Sequence, residues 1–254
     1  MSENDASGTF WEHLDVLRGV LLRSLAVVAL LAVVAFCFKE TLFAVVLAPR
    51  SSDFITFRLL GTEPFAVSLM NTGLTEQFMI HMKVAAYAGL LFALPYIIYE
   101  LFRFVSPALY RVERKRTVQV VGASVTMFLL GTLVNYFLIF PLTVRFLGTY
   151  QVSADVTNML TLQSYMDTLI GMSLVMGVVF ELPVVSWMLS RFGILDGKVM
   201  RQYRRHAVVA ILAVSAIITP TADAFTMLIV ALPIWLLYEV SILIVRKGRA
   251  APIE

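Results

Sequence analysis

The chain has 254 residues, of which 59% are hydrophobic and 15% are charged, and its mean hydropathy is +0.85. This composition excludes an ordinary soluble domain, because no such domain of this length is so apolar. The formal net charge of +3 is not a nucleic-acid signature, since the basic residues are distributed as membrane topology requires. We therefore expect an all-α, polytopic membrane protein with one integrated bundle.

Six apolar stretches predict six transmembrane helices, since a helix needs about 20 apolar residues to cross a bilayer. The polar, acidic N-terminus MSENDASGTFWEHLD does not resemble a cleavable signal peptide, so the first span is expected to direct insertion. The fifth apolar stretch is too short to cross a core of about 30 Å upright. The predicted spans are residues 20–38, 77–101, 118–142, 160–189, 207–218 and 225–245.

The segments between the spans predict the domain organisation. Residues 39–74 are predicted to form a long polar segment between the first two spans, and this segment contains Pro49. We treat residues 1–254 as a single transmembrane domain. Its parts are a cytoplasmic N-terminal segment, the six-span bundle and a cytoplasmic tail, at residues 1–19, 20–245 and 246–254.

The basic residues predict the orientation of the chain in the membrane. Of the 20 Lys and Arg, 15 lie in the N-terminal flank, in two loops and in the tail. With six spans, these four segments all fall on the same side of the membrane. By the positive-inside rule, this side is cytoplasmic, so both termini are inside. These residues are Arg18, Arg23, Arg103, Arg111, Arg114, Lys115, Arg116, Arg191, Lys198, Arg201, Arg204, Arg205, Arg246, Lys247 and Arg249.

The first basic loop, FVSPALYRVERKR, contains a single acid, Glu113, among its cations. A carboxylate adds nothing to the orientation signal of this loop, so it calls for a second explanation. We interpret Glu113 as the acceptor of a cationic partner that arrives from the cytoplasm. The alternative is an ordinary ion pair with Arg116 on a solvated helix.

Among the charged residues within the predicted spans, Glu181 and Lys83 are the first two that need an explanation. Glu181 is midway along the fourth span, where a carboxylate must face the bundle interior, water or a partner. It is either an internal hydrogen-bonding group or a functional polar site. Lys83 lies near the outer end of the second span and is interpreted as structural, either extending outward or pairing with Glu76.

Two further acids, Glu100 and Glu239, lie near the cytoplasmic ends of their spans and are expected to pair with flanking arginines. The scattered histidines form no metal-binding spacing, and the lone Cys37 excludes an intrachain disulfide. We find no GxSxG, HExxH or glycine-rich phosphate loop, so neither an enzyme nor a cofactor is expected.

Several motifs, in order over nearly the whole chain, resemble those of the TatC family, the polytopic subunits of the twin-arginine protein translocase. The specific ones are FVSPALYRVERK after the second span and FELP in the fourth. The other matching pieces are LAPR, KVAAYAGLLFALPYIIYELFR, ITPTADAFTMLIVALPIWLLYEVSI and, as the weaker one, the N-terminal EHLDVLRGVLL.

The resemblance implies a receptor and channel component, without catalytic chemistry, in the bacterial cytoplasmic (inner) membrane. Such proteins form a concave bundle whose last two spans are short, and they are expected to work in a multimeric complex. In the family, folded cargo carries a signal peptide with two consecutive arginines. Transport is driven by the proton motive force, and the partners are single-span proteins of the TatA/TatB type.

The resemblance also assigns residues. It implies that the signal peptide is bound at the cytoplasmic face by Glu113, Glu12, Asp15, Arg18, Phe104, Pro107, Leu109 and Tyr110. Pro49 matches the proline of an outer cap, and Glu181 matches a polar residue in the membrane-facing concavity. The outer connection of the last two spans is expected to dock partner helices through Thr219, Asp223 and Thr226.

The sequence departs from the family pattern at two positions. The family usually has HLxELR near the N-terminus, whereas Val16 occupies the position of that glutamate here. Either Asp15 or Glu12 supplies the second acid, or Glu113 does most of the binding. In the sixth span, Met227 stands where relatives often have a polar residue, and Thr226 is a candidate substitute.

A second hypothesis from a different functional class remains open at this point. A proton- or ion-coupled transporter of a small solute would use Glu181, with Lys83, as its titrating pair. It predicts solute uptake by this chain alone, with loss of uptake in Glu181→Gln. The translocase receptor instead predicts binding of twin-arginine peptides.

Overall fold

The computed structural model describes residues 3–61, 65, 67–105, 114–151, 153, 159–219 and 223–248. Most of these residues are helical. The helices are α1 (Glu3–Cys37), α2 (Lys39–Leu47), α3 (Ile55–Leu59), α4 (Glu76–Val105), α5 (Arg114–Val134), α6 (Phe140–Thr149), α7 (Leu162–Val179), α8 (Leu182–Arg191), α9 (Gly197–Gln202), α10 (Arg204–Ile218) and α11 (Ala224–Gly248). A 3-10 turn covers Ala48–Arg50, and a π-helical turn, Asn135–Ile139, joins α5 to α6.

Within the described part of the chain, five helical segments are long and apolar enough to cross a membrane. They are Leu14–Cys37, Glu76–Phe104, Val118–Thr149, Leu162–Arg191 and Ala224–Val245. The predicted fifth span corresponds to α10, whose 15 residues extend over only about 22 Å. The structure therefore confirms a mostly helical fold, in which five segments are long and apolar enough to span a membrane and the helix at the predicted fifth span is shorter.

The prediction that residues 39–74 are one polar segment was wrong. Its first part, TLFAVVL, continues as the apolar helix α2 after a one-residue interruption at Phe38. The helix ends at Leu47, and Pro49 in the following 3-10 turn has no N–H to donate to the carbonyl of Val45. The Tyr136 hydroxyl donates to this carbonyl instead, at 2.6 Å.

The predicted fourth span is divided into α7 and α8 by a break at Phe180 and Glu181. Pro183 explains the break, because its missing N–H leaves the carbonyl of Val179 without its helical donor. In contrast, Pro95 and Pro233 lie inside continuous helices, α4 and α11. The fourth proline within the predicted spans, Pro141, lies in the first turn of α6, directly after the π-helical turn.

The chain packs as two compact units, of which the first comprises Met1–Phe43 and Phe78–Val125. Within it, α1 and α4 cross closely at Gly89, where a Cβ atom would lie 2.6 Å from the backbone nitrogen of Ala32. Small side chains line this crossing, and the buried cluster consists of Ala35, Ala85 and Ala88. The close approach depends on these small residues, as is common where helices pack in membranes.

The second unit comprises Ala44–Gln77 and Thr126–Glu254, and its apolar core lies among α7, α10, α11 and the π-helical turn. The buried members of this core are Ile139, Met172, Met176, Phe180, Ile211, Val230, Ala231 and Ile234. Asn135 is fully buried nearby, and its amide donates to the Ser173 hydroxyl at 2.8 Å.

A two-stranded parallel pairing also belongs to the second unit. Strand β1 (Leu69–Met70) pairs with β2 (Leu160–Thr161), so that Leu69 lies opposite Leu160 and Met70 opposite Thr161. The second strand leads directly into α7, and the Thr161 hydroxyl caps that helix by accepting from the Ser164 N–H at 3.1 Å.

Candidate functional site

The N-terminal candidates lie on α1 in the first unit. Asp15 and Arg18 are exposed and three residues apart, so they share one face of the helix. Val16, which replaces the usual glutamate, is also exposed. Glu12 lies on the same helix, one turn before Val16. An acidic and a basic side chain are therefore presented together at this end of α1.

The loop candidates are only partly within the described residues. Phe104 lies in the last turn of α4 and is half-buried. Pro107, Leu109, Tyr110 and Glu113 lie outside the residues that the structure describes. Their assignment to the binding of a signal peptide stays a prediction.

The expected pairing of Glu100 with flanking arginines is confirmed within the first unit. Glu100 is buried in α4, and its carboxylate lies 3.4 Å from Nη2 of Arg23 on α1 and 3.8 Å from Nη1 of Arg103. A buried carboxylate needs such partners, because an isolated charge in an apolar environment is costly. The ion pair therefore joins the middle of α1 to the C-terminal part of α4.

Glu239, in the second unit, pairs with an arginine as expected, although this arginine lies 35 residues away rather than in the flank of its own span. Its carboxylate accepts from the guanidinium of Arg204 at the start of α10. In addition, the Tyr238 hydroxyl donates to the carbonyl of Met200 in α9 at 2.7 Å. Side-chain contacts thus hold α11 against α9 and the start of α10, which belong to the second basic loop, residues 191–206.

The two intramembrane candidates differ in their surroundings. Glu181 lies at the break between α7 and α8 and is half-buried, and its backbone carbonyl accepts from the Val185 N–H at 2.9 Å. Lys83 has an exposed side chain on α4. The placement of Glu181 at a helix interruption puts a carboxylate beside a locally irregular backbone.

The outer-cap candidate, Pro49, is buried in the 3-10 turn that follows α2. The carbonyls just before it are satisfied from elsewhere in the second unit. Tyr136 donates to Val45, as described above, and the Tyr165 hydroxyl donates to the carbonyl of Val46 at 3.1 Å. Two tyrosines therefore hold the end of α2 where Pro49 stops the helical hydrogen bonding.

Sequence reasoning missed the role of Glu76 in the same unit. Its carboxylate accepts from the backbone N–H groups of Thr72, Gly73 and Gln163 at 2.9, 2.7 and 3.1 Å, and from the Thr72 hydroxyl at 3.1 Å. Gln163 is the second residue of α7, whose first N–H groups have no helical acceptor. One side chain thus binds the start of α7 and the turn before α4.

Replacing Glu76 by alanine is expected to lower the melting temperature of the detergent-solubilised protein by several degrees. The substitution leaves three backbone N–H groups without their acceptor, which is more costly than the loss of a surface contact. The melting temperature is measured by fluorescence. Glu40→Ala, which removes an exposed acid from α2, serves as the control. Equal melting temperatures for both variants would contradict this role.

The partner-docking candidates lie around the connection between α10 and α11. Thr219 is buried immediately after α10, and the Asp223 carboxylate accepts from the backbone N–H of Thr226 at 2.7 Å, which caps the start of α11. Thr226 is fully buried, and none of the described residues bonds its hydroxyl oxygen. The buried side chains of Thr219 and Thr226 therefore place hydroxyl groups at the connection between α10 and α11.

The comparison with known families decides the identity of the chain. The family model described as "Sec-independent protein translocase protein (TatC)" matches residues 12–233. This chain belongs to the TatC family. A TatC protein from Desulforapulum autotrophicum is 34% identical to it, over 96% of this chain and 86% of the relative. One from Deinococcus radiodurans is 34% identical, over 98% and 90% of the two chains.

The fold of this TatC-family chain is similar to that of a solved structure described as "Crystal Structure of Twin Arginine Translocase Receptor- TatC". The TM-score is 0.77 at 28% identity, over 93% of this chain and 99% of the solved one. The chain is therefore a translocase subunit of the inner membrane. As a TatC protein, it works with other Tat subunits.

Proposed function

We propose that this chain is the signal-peptide receptor of a twin-arginine translocase and exports folded proteins with TatA/TatB-type single-span partners. The observation that carries the proposal is the loop FVSPALYRVERKR, in which Glu113 is the single acid, within a chain of the TatC family. A guanidinium requires an acceptor that takes two parallel hydrogen bonds, and a carboxylate provides it. Export driven by the proton motive force is part of this proposal.

The proposed topology places this loop on the cytoplasmic side. Both termini are inside, and α10 completes a six-span arrangement despite its 15 residues. A helix of that length requires local thinning of the bilayer or shifts of its neighbours. The basic side chains that surround Glu113 repel other basic peptides, so that one acid selects a guanidinium pair rather than any positive charge.

The remaining candidates receive roles along the same path. Phe104, Pro107, Leu109 and Tyr110 shape the loop around Glu113, with Glu12, Asp15 and Arg18 contributing from α1. The apolar part of the signal peptide lies along the bundle toward Glu181, with Lys83 structural. Pro49 belongs to the outer cap, and partner helices dock beside Thr219, Asp223 and Thr226.

An export assay tests this function. We expect membrane vesicles that carry this chain with its single-span partners to translocate a folded reporter bearing a twin-arginine signal peptide. Transport should fall when the two arginines are replaced by lysines, which keep the charge but lack the planar fork, and it should stop with an uncoupler. Equal transport of the twin-lysine reporter would contradict the proposal. Solute uptake by this chain alone, lost in Glu181→Gln, would favour a transporter.

A further inference from the structure

The carboxylate of Glu100 is buried between α1 and α4, beneath two exposed arginines. The side chain of Glu100 is 4% exposed, whereas those of Arg23 and Arg103 are 54% and 65% exposed. The two guanidiniums therefore separate a buried carboxylate from water. An acid of the receptor is thus already paired with two arginines, the same chemical group that the proposed signal peptide carries.

The contacts in this cluster leave the carboxylate incompletely satisfied. A strong hydrogen bond between a guanidinium and a carboxylate is about 2.7–2.9 Å long. The two contacts of Glu100 are 3.4 and 3.8 Å long, and Oε2 accepts no hydrogen bond from any residue that the structure describes. A buried acceptor without a hydrogen bond keeps much of its desolvation penalty. A better-aligned guanidinium would thus be favoured here.

Both arginines are placed so that they can be displaced at low cost. The side chain of Arg23 folds back along α1, and its Nε donates to the carbonyl of Gly19 at 3.1 Å. Arg103 extends from the next turn of α4. Since both are more than half exposed, water solvates their charge when they leave, and an incoming arginine keeps the buried carboxylate paired.

We propose that Arg23 and Arg103 form an autoinhibitory pair, which occupies Glu100 until an arginine of the signal peptide displaces it. This inference rests on the proposed function, in which twin arginines are captured at the cytoplasmic face. It also supplies a second carboxylate to a receptor in which Val16 stands where the family usually has a glutamate. Receptor arginines that hold this acid loosely keep weaker cationic peptides out.

The direction in which one substitution changes the affinity for the signal peptide tests the proposal. In Arg103→Gln, the full chain in nanodiscs is expected to bind a labelled twin-arginine signal peptide about fivefold more tightly, because one competitor is removed. A twin-lysine peptide should gain less, since lysine lacks the fork. If Arg103 only stabilised the fold, its removal would leave affinity unchanged or weaken it. Either result would overturn the proposal.

A matched variant separates displacement from a general change in charge. Arg204→Gln removes the same charge from the Glu239 pair in the second unit and should leave affinity unchanged. Glu100→Gln should weaken binding roughly tenfold. It should also abolish the gain caused by Arg103→Gln in the double variant. A gain that persists without the Glu100 carboxylate, or that appears equally in Arg204→Gln, would contradict the proposal.

The same assay distinguishes failure of this inference from failure of the proposed function. If Glu113→Gln abolishes binding of the twin-arginine peptide but Arg103→Gln does not tighten it, the receptor function holds and the autoinhibitory pair is refuted. If the wild-type chain and all variants bind the twin-arginine and twin-lysine peptides equally, the receptor function and the autoinhibitory pair are both refuted. Binding of the twin-arginine and twin-lysine peptides is compared on the Arg103→Gln variant, in which the buried Glu100 itself is unchanged.

Discussion

Replacing Glu113 by glutamine is expected to reduce binding of a twin-arginine signal peptide by at least about thirtyfold, because an arginine loses its charged acceptor. Glutamine keeps the size of the side chain but accepts at one oxygen and carries no charge. The measurement is equilibrium binding of a labelled signal peptide to the full chain in nanodiscs. Export of a twin-arginine reporter should fall in parallel.

The control for Glu113→Gln is Asp196→Asn, which removes one negative charge from the second basic loop. The Asp196 carboxylate caps α9 by accepting from the Lys198 N–H at 3.1 Å, and asparagine is an equally good capping residue. We therefore expect Asp196→Asn to bind the peptide normally. If both variants bind equally well, Glu113 is not the arginine acceptor.

Replacing Gly131 by alanine is expected to destabilise the second unit by about 3 kcal/mol, the upper range for overpacking. A Cβ atom at this position of α5 would lie 2.5 Å from the carbonyl oxygen of Met176 and 2.8 Å from Cγ of Phe180. The nearest atom belongs to the backbone of α7, so a rotamer change cannot relieve the contact. Thermal unfolding in detergent measures the loss, and export should fall with it.

Two glycines provide matched controls for Gly131→Ala. A Cβ atom at Gly122 on α5, or at Gly171 on α7, would meet no atom within 4 Å. Alanine should therefore leave stability unchanged or raise it, because glycine is the poorer helix former. A Gly131→Ala protein that unfolds at the same temperature as Gly122→Ala would contradict the close helix crossing.

Hydropathy predicted the long helices well, because a segment that crosses a bilayer must be both apolar and helical. That Glu100 and Glu239 would be paired was also predictable, since a partly buried carboxylate needs a partner. Of the partners, only Arg103 is close in sequence, whereas Arg23 and Arg204 come from distant parts of the chain.

The missed features depend on residues that are far apart in the chain. Glu76 bonds Gln163, and Tyr136 bonds Val45, across 87 and 91 residues, so no local pattern indicated either contact. The sequence prediction placed the apolar helix α2 in a polar segment, because Pro49 and the polar residues after it outweigh the short apolar run TLFAVVL in the composition of residues 39–74. Its hydrogen bonding is completed by distant tyrosines, which sequence patterns alone do not place.

The sequence predicts the chemistry of the candidate site but not its arrangement, and the predicted acceptor, Glu113, lies outside the residues that the structure describes. The lone acid in a basic loop indicated a cation acceptor, and family resemblance indicated which cation. The structure adds that Val16 is exposed on α1 while Glu100 lies buried beneath Arg23 and Arg103. The proposed autoinhibitory pair makes Glu100 on α4 a candidate second carboxylate, a possibility that helix spacing on α1 did not suggest.

Site-specific photo-crosslinking from residue 113 tests the central claim most directly. A crosslinker placed at this position in the full chain should capture a signal peptide beside its two arginines, and capture should fall strongly when these become lysines. Unlabelled twin-arginine peptide should compete for the adduct. Equal capture of both peptides, or crosslinks that map only to the apolar part of the signal peptide, would show that this loop does not recognise the arginine pair.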